Sequence, residues 1–126
     1  MQHPRQYVQL SSKTTGAPFN DAVLVGSTLY IAGQIGVDSA TGMVPQDVHN
    51  EITFLFQRIK SILQEVGMGL EHIVFLQVSC ADQELYDLFN DAYSRLFSGH
   101  YPARSFVVAG DLVKNARFHI SATAVR

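Results

Sequence analysis

The sequence contains a single cysteine, Cys80, so no disulfide can close within one chain. Nothing in its cysteine usage therefore asks for an oxidising compartment. Also missing are Gly-x-Gly-x-x-Gly, a Gly-Lys-Ser/Thr phosphate loop, Cys-x-x-Cys and His-Glu-x-x-His. The five histidines (His3, His49, His72, His100 and His119) follow no metal-ligand spacing, so no dedicated metal site is expected. No apolar run nears the roughly 20 residues that span a bilayer. The first six residues are polar and lack the apolar stretch of a secretory signal. A soluble cytoplasmic protein, without membrane attachment, is the expectation. Basic residues are outnumbered, with 9 Lys and Arg against 11 Asp and Glu for a net charge of −2. They are scattered and form no stripe that could release counterions from a phosphate backbone, which disfavours nucleic acid as a partner.

The chain has 126 residues, 47% of them hydrophobic, which suits one domain over 1–126 with its own core. Two β-rich runs, 22–25 and 28–32, flank Gly26-Ser27 and predict a hairpin. Gly33, Gly36, Gly42 and Pro45 then predict mostly loop to Gln46. From Val48 to Val66, apolar residues recur every three or four positions, predicting a helix with Asp47 as N-cap and Gly67 as its left-handed stop. Residues 73–80 alternate as a strand, with Val74, Leu76, Val78 and Cys80 on one face and Phe75, Gln77 and Ser79 on the other. Asp82 caps a second predicted helix, 83–97, which Gly99 ends. Strands follow at 105–109 and 117–125. In the last, Phe118, Ile120, Ala122 and Ala124 face one way, and Arg117, His119, Ser121 and Thr123 the other. The order predicts an α+β fold, a mixed sheet with two helices packed on one face. The other face, lined by small and mid-sized residues, suits a subunit interface.

Three side chains can be read in two ways from the residues alone. Arg104 follows Tyr101-Pro102-Ala103 and enters a strand start, where its forked donors could receive a carboxylate or serve a structural salt bridge. His119 sits among apolar neighbours, able to move protons near neutral pH or simply satisfied by a carbonyl. Cys80 continues an apolar face, as a packed thiol rather than a nucleophile. Phe89, Tyr93 and Phe97 fall at helical spacing and read as core.

Several segments, in order and with compatible spacing over residues 16–125, resemble the Rid/YjgF family of reactive-intermediate deaminases, labelled L-PSP endoribonucleases in older usage. They are Gly16-Ala17-Pro18-Phe19-Asn20-Asp21-Ala22, then Leu29-Tyr30-Ile31-Ala32-Gly33-Gln34-Ile35 and the turn from Asp38 to Gly42. The Asn90 to Tyr93 step, Pro102-Ala103-Arg104-Ser105 and the closing strand from Ala116 to Val125 complete the set. The resemblance implies a chorismate-mutase-like fold and a homotrimer with three inter-subunit clefts. It implies that Arg104 binds the carboxylate of a 2-imino or 2-enamino acid, with Ala32, Gly33, Asn90 and Phe106 nearby. The implied reaction is hydrolysis to a 2-oxo acid and ammonia, with no cofactor, because an imine carbon is already electrophilic. The sequence departs from that pattern at four positions. His119 stands where the family places a carboxylate, Phe19 where it has tyrosine, Phe106 where cysteine is frequent, and Val113 where proline follows leucine. His119 is then the candidate catalytic base, and Phe19 an aromatic wall without its hydroxyl. A changed substrate, a slower reaction, or binding of small carboxylates without turnover would follow from these departures. The nuclease of the older label fits poorly with the acidic balance.

Overall fold

A computed structural model describes residues 3–10 and 17–126. Gly16, the first residue of the N-terminal element named above, lies outside them. Six strands form one mixed sheet in the order β1-β2-β3-β6-β4-β5, with ranges β1 Arg5–Val8, β2 Ala22–Val25, β3 Thr28–Gln34, β4 Ile73–Cys80, β5 Ala103–Val108 and β6 Phe118–Val125. All neighbours pair antiparallel except β4 and β5. The helices are α1, Val48–Gln64, and α2, Tyr86–Ser94. None of the helices is long and apolar enough to cross a membrane among the described residues.

The expected hairpin is present, with Gly26 at φ 60° in its turn. Strand β3 runs two residues further than its sequence pattern, to Gln34. Strand β1 was not expected. It is an edge strand with one buried residue, Val8, so it carries no alternating signal. Helix α1 starts at the predicted cap, where the Asp47 carboxylate accepts from the His49 and Asn50 N–H groups. It ends as predicted, with Gly67 at φ 72° donating to the Gln64 carbonyl and Met68 to the Leu63 carbonyl, a pair of bonds that satisfies two terminal carbonyls. The second helix is shorter than predicted. Gln83–Leu85 form a 3₁₀ turn under the Asp82 cap, and α2 stops at Ser94.

The core lies between the two helices and one face of the sheet. Side by side on that face run Leu76, Ala122 and Ile31, then Val78 and Ile120, then Cys80 and Phe118, all buried. Against them pack Ile52, Leu55, Phe56, Ile59 and Leu63 of α1 and Phe89 of α2, whose ring lies 4.9 Å from that of Phe118. One strand assignment is corrected. Val74 is exposed and Ile73 buried, because the β4–β6 register shifts between Ile73 and Phe75. A bulge at the strand's start reverses the alternation there. The opposite sheet face carries Tyr30, Phe75, Gln77, Ser121 and Thr123 around a shallow hollow.

Arg117 also departs from simple alternation. Strand β6 begins one residue later, and Arg117 turns back to the buried carboxylate of Glu51. Its guanidinium donates to Glu51 Oε1 at 2.7 Å, to the Pro45 carbonyl at 3.1 Å and to the Gln46 carbonyl at 2.6 Å. Glu51 Oε2 accepts from the backbone N–H groups of Arg117 and Phe118. One carboxylate thus pins the first turn of α1, the loop before it and the start of β6. Gly36 passes so close to the Glu51 carbonyl that a Cβ would stand 2.1 Å from its oxygen.

Candidate functional site

Arg104 is the second residue of β5, the edge strand, and lies in register with Leu76. Leu76 is fully buried on the helix side, so Arg104 and, two residues on, Phe106 project toward α2. There the guanidinium meets four rings. Its carbon lies 4.8 Å from the centroid of Tyr93, 5.2 Å from Phe106 and 5.9 Å from both Tyr86 and Phe89. Phe106 and Tyr86 meet edge to face at 4.8 Å, and Phe106 lies 5.6 Å from Phe89. A cation against ring faces gains about 0.5–2 kcal/mol depending on exposure. Rings cannot, however, saturate five N–H donors. Among the described residues no hydrogen bond or ion pair engages the Arg104 side chain. The structural salt bridge left open by the sequence therefore finds no partner there. The guanidinium is held among the rings with its donors uncommitted, the arrangement of an anion receptor.

Phe106 supplies one wall of this seat. Asn90 is half-buried on α2, one turn beyond Tyr86 and one turn before Tyr93, on the flank of the helix that borders Arg104.

The other predicted residues gather elsewhere. The β3–β6 register slips between Ile31 and Gln34, so Ala32 and Gly33 together oppose a single residue of β6. The Ala32 N–H donates to the Asp21 carbonyl at 2.9 Å, and its own carbonyl accepts from the Gln34 side chain. His119 lies directly on Gly33. A Cβ at Gly33 would stand 2.1 Å from both Cε1 and Nε2 of the imidazole. Only glycine leaves room for the ring. Phe19, 54% exposed, precedes Asp21 by two residues and so lies at this same end of β3. Val113 is exposed and opens a turn in which Lys114 and Asn115 adopt φ of 55° and 58°.

His119 alternates with buried Phe118 and Ile120, so it points to the open face. It pairs with Ser79, which pairs with Val107. Arg104 thus differs from it in three ways: by sheet face, by two strands (roughly 10 Å), and by three residues along the strand (also roughly 10 Å). Within one chain the two groups do not share a cavity. Two hollows among the described residues contain neither. One is the sheet-face hollow, and the other is lined by Gly42 to Gln46 with Lys114, Asn115 and Arg117.

Sequence reading missed two things. One is the pairing of Glu51 with Arg117. The signal was there, because Glu51 falls one turn before Leu55 on the apolar stripe of α1, where a carboxylate demands a partner. The other is the aromatic seat, since Phe89 and Tyr93 are core residues that also carry a cation. Cys80 is buried, and its thiol donates to the Asp82 carbonyl at 3.0 Å. Burial pushes the thiol above its ordinary 9.0, so the nucleophilic thiolate is disfavoured at neutral pH. No three His, Cys, Asp or Glu side chains cluster as metal ligands among the described residues.

The sequence profile of the family described as Endoribonuclease L-PSP matches residues 10–126. The chain is 36% identical over 110 residues to the 2-iminobutanoate/2-iminopropanoate deaminase of Bos taurus, covering 86% of this chain and 80% of that one. It superposes on RidA from the Antarctic bacterium Psychrobacter with a TM-score of 0.89, 28% identity, and coverage of 96% and 99% of the two chains. The E. coli TdcF crystal structure with bound serine gives 0.85, with 29% identity and coverage of 96% and 99%. A profile matched almost end to end, on a fold shared along its whole length with such proteins, makes the chain a member of the Rid/YjgF family.

Proposed function

We propose that the protein hydrolyses small 2-imino and 2-enamino acids to 2-oxo acids and ammonia. The observation that carries this is Arg104, seated on four rings with its donors unclaimed among the described residues. Support comes from the deaminase relative, and from TdcF, which holds serine, a small molecule with a carboxylate. Arg104 takes the substrate carboxylate through paired N–H donors. Water adds to the imine carbon as His119 accepts its proton, and the nitrogen takes a proton in turn. The tetrahedral carbinolamine then expels ammonia and leaves the C=O bond. A neutral imidazole can accept and return that proton, as a carboxylate would.

Because Arg104 and His119 occupy opposite faces of one sheet, a site using both must be completed by a second copy. We therefore assign the protein a homotrimeric assembly of chorismate-mutase-like subunits. The open sheet face is turned inward, and three clefts each take Arg104 from one chain and the Gly33–His119 corner from the next. Closed cyclic symmetry supplies one such heterologous cleft per chain. The direct test generates fresh imine from amino acids with an amino-acid oxidase and follows ammonia release. Release faster than in buffer for at least one small side chain is expected. No acceleration across a broad set of amino acids would remove the reading.

Gly33→Ala is a sharper probe of the His119 corner. The added methyl displaces the far end of a flexible side chain rather than backbone, so the cost in stability stays at the low end of the overpacking range, about 1 kcal/mol. Turnover should nevertheless fall as far as in His119→Ala, with the melting temperature lowered by only a few degrees. Wild-type turnover in a Gly33→Ala protein would show that the imidazole position is irrelevant to the chemistry.

A further inference from the structure

One polar atom of the aromatic seat has no use in the fold. The Tyr93 hydroxyl is buried with no hydrogen-bond partner among the described residues, and Tyr93 as a whole is 6% exposed. A buried hydroxyl left unpaired costs free energy, and folds rarely keep one without a reason. Its ring needs no hydroxyl to pack, since it stacks on Phe89 at 5.8 Å and on Tyr101 at 5.9 Å and carries Arg104 at 4.8 Å. Phenylalanine would serve all three contacts. The Arg104 charge also reaches the phenol oxygen. Burial raises the phenol above its ordinary 10.0, and Arg104 pulls it the other way.

We infer that Tyr93 is a second ligand donor of the Arg104 site, its hydroxyl waiting for an oxygen of the carboxylate that the guanidinium holds. This rests on the reading of Arg104 as a carboxylate anchor. An ionised carboxylate offers about four acceptor positions and no donor, and a guanidinium fork uses two of them. A neighbouring phenol O–H fits one of the rest. Access requires a neighbour to give way, and Tyr101 is placed to do so. It is 58% exposed, lies over Tyr93, and is tied by one 3.2 Å bond from its hydroxyl to the Ser94 carbonyl. A bound carboxylate would thus satisfy an atom that the fold itself leaves unsatisfied.

The test uses the full chain, with pyruvate as the probe, in calorimetric titrations of wild type, Tyr93→Phe and Arg104→Ala, together with thermal melts of each without ligand. Tyr93→Phe should bind pyruvate about ten-fold more weakly, the worth of one hydrogen bond to a charged group. Its unliganded melting temperature should hold or rise, because an orphan polar atom has been removed. Arg104→Ala should show no binding heat. Wild-type affinity in Tyr93→Phe, alongside lost binding in Arg104→Ala, would overturn the role of Tyr93 and leave that of Arg104 standing. A melting temperature several degrees lower in Tyr93→Phe would also overturn it, by showing that the hydroxyl serves the fold. Binding that survives Arg104→Ala, or is absent from wild type, would remove the anchor and this inference with it.

Discussion

Glu51→Ala should destabilise the protein by about 3–5 kcal/mol, read as a large drop in the midpoint of urea unfolding. The Glu51 side chain is fully buried, and five groups converge on it or on its partner. They are the Arg117 guanidinium, the backbone N–H groups of Arg117 and Phe118, and, through the same arginine, the carbonyls of Pro45 and Gln46. Removing the carboxylate strands a half-buried cation and two amides at once. For a domain with about 5–15 kcal/mol in hand, that is a large fraction of the total. Arg117→Ala should cost a similar amount, by leaving the buried carboxylate unpaired. A double variant replacing both should cost less than the two singles added, because no lone charge remains. Strict additivity would show that the two side chains stabilise the fold separately.

Arg104→Ala should leave the fold intact and lower kcat/KM by about 100-fold or more, since two charge-assisted bonds to the substrate disappear. The folded chain loses only cation–ring contacts at a half-buried edge position. Arg104→Lys should recover part of the loss, because the charge returns without the fork. Coincident unfolding curves beside collapsed activity separate this variant from Glu51→Ala, which acts on stability. Unchanged kcat/KM in Arg104→Ala would leave the proposed deaminase without its substrate anchor.

Much of the fold could be read along the chain because local signals agreed. The α1 stripe, the Asp47 cap and the Gly67 stop all pointed to one helix, and the structure places each where the pattern did. Likewise Gly26-Ser27 between two β-rich runs could only be a hairpin turn. What escaped was non-local. Strand β1 buries one side chain, so its pairing with β2 is visible only once β2 exists. The Val74 inversion comes from a register shift against β6, a strand more than 40 residues away. The same holds at the candidate site. Motif spacing ties Arg104 to the position of His119, but only the strand order reveals that they occupy opposite faces. Similarly, Gly33 reads as a loop glycine until the imidazole of His119 is found lying on it.

That geometric separation is also the most exposed point of the account. Arg104→Ala and His119→Ala chains, each carrying a different tag, can be co-expressed and the doubly tagged hybrids assayed beside the two parents. If each cleft takes its arginine from one chain and its histidine from another, every mixed trimer regains one intact cleft. The unfractionated 1:1 mixture should then recover roughly a quarter of wild-type activity. Hybrids no more active than the mean of the two parents would mean that both residues act from the same chain, contrary to the site proposed for this fold.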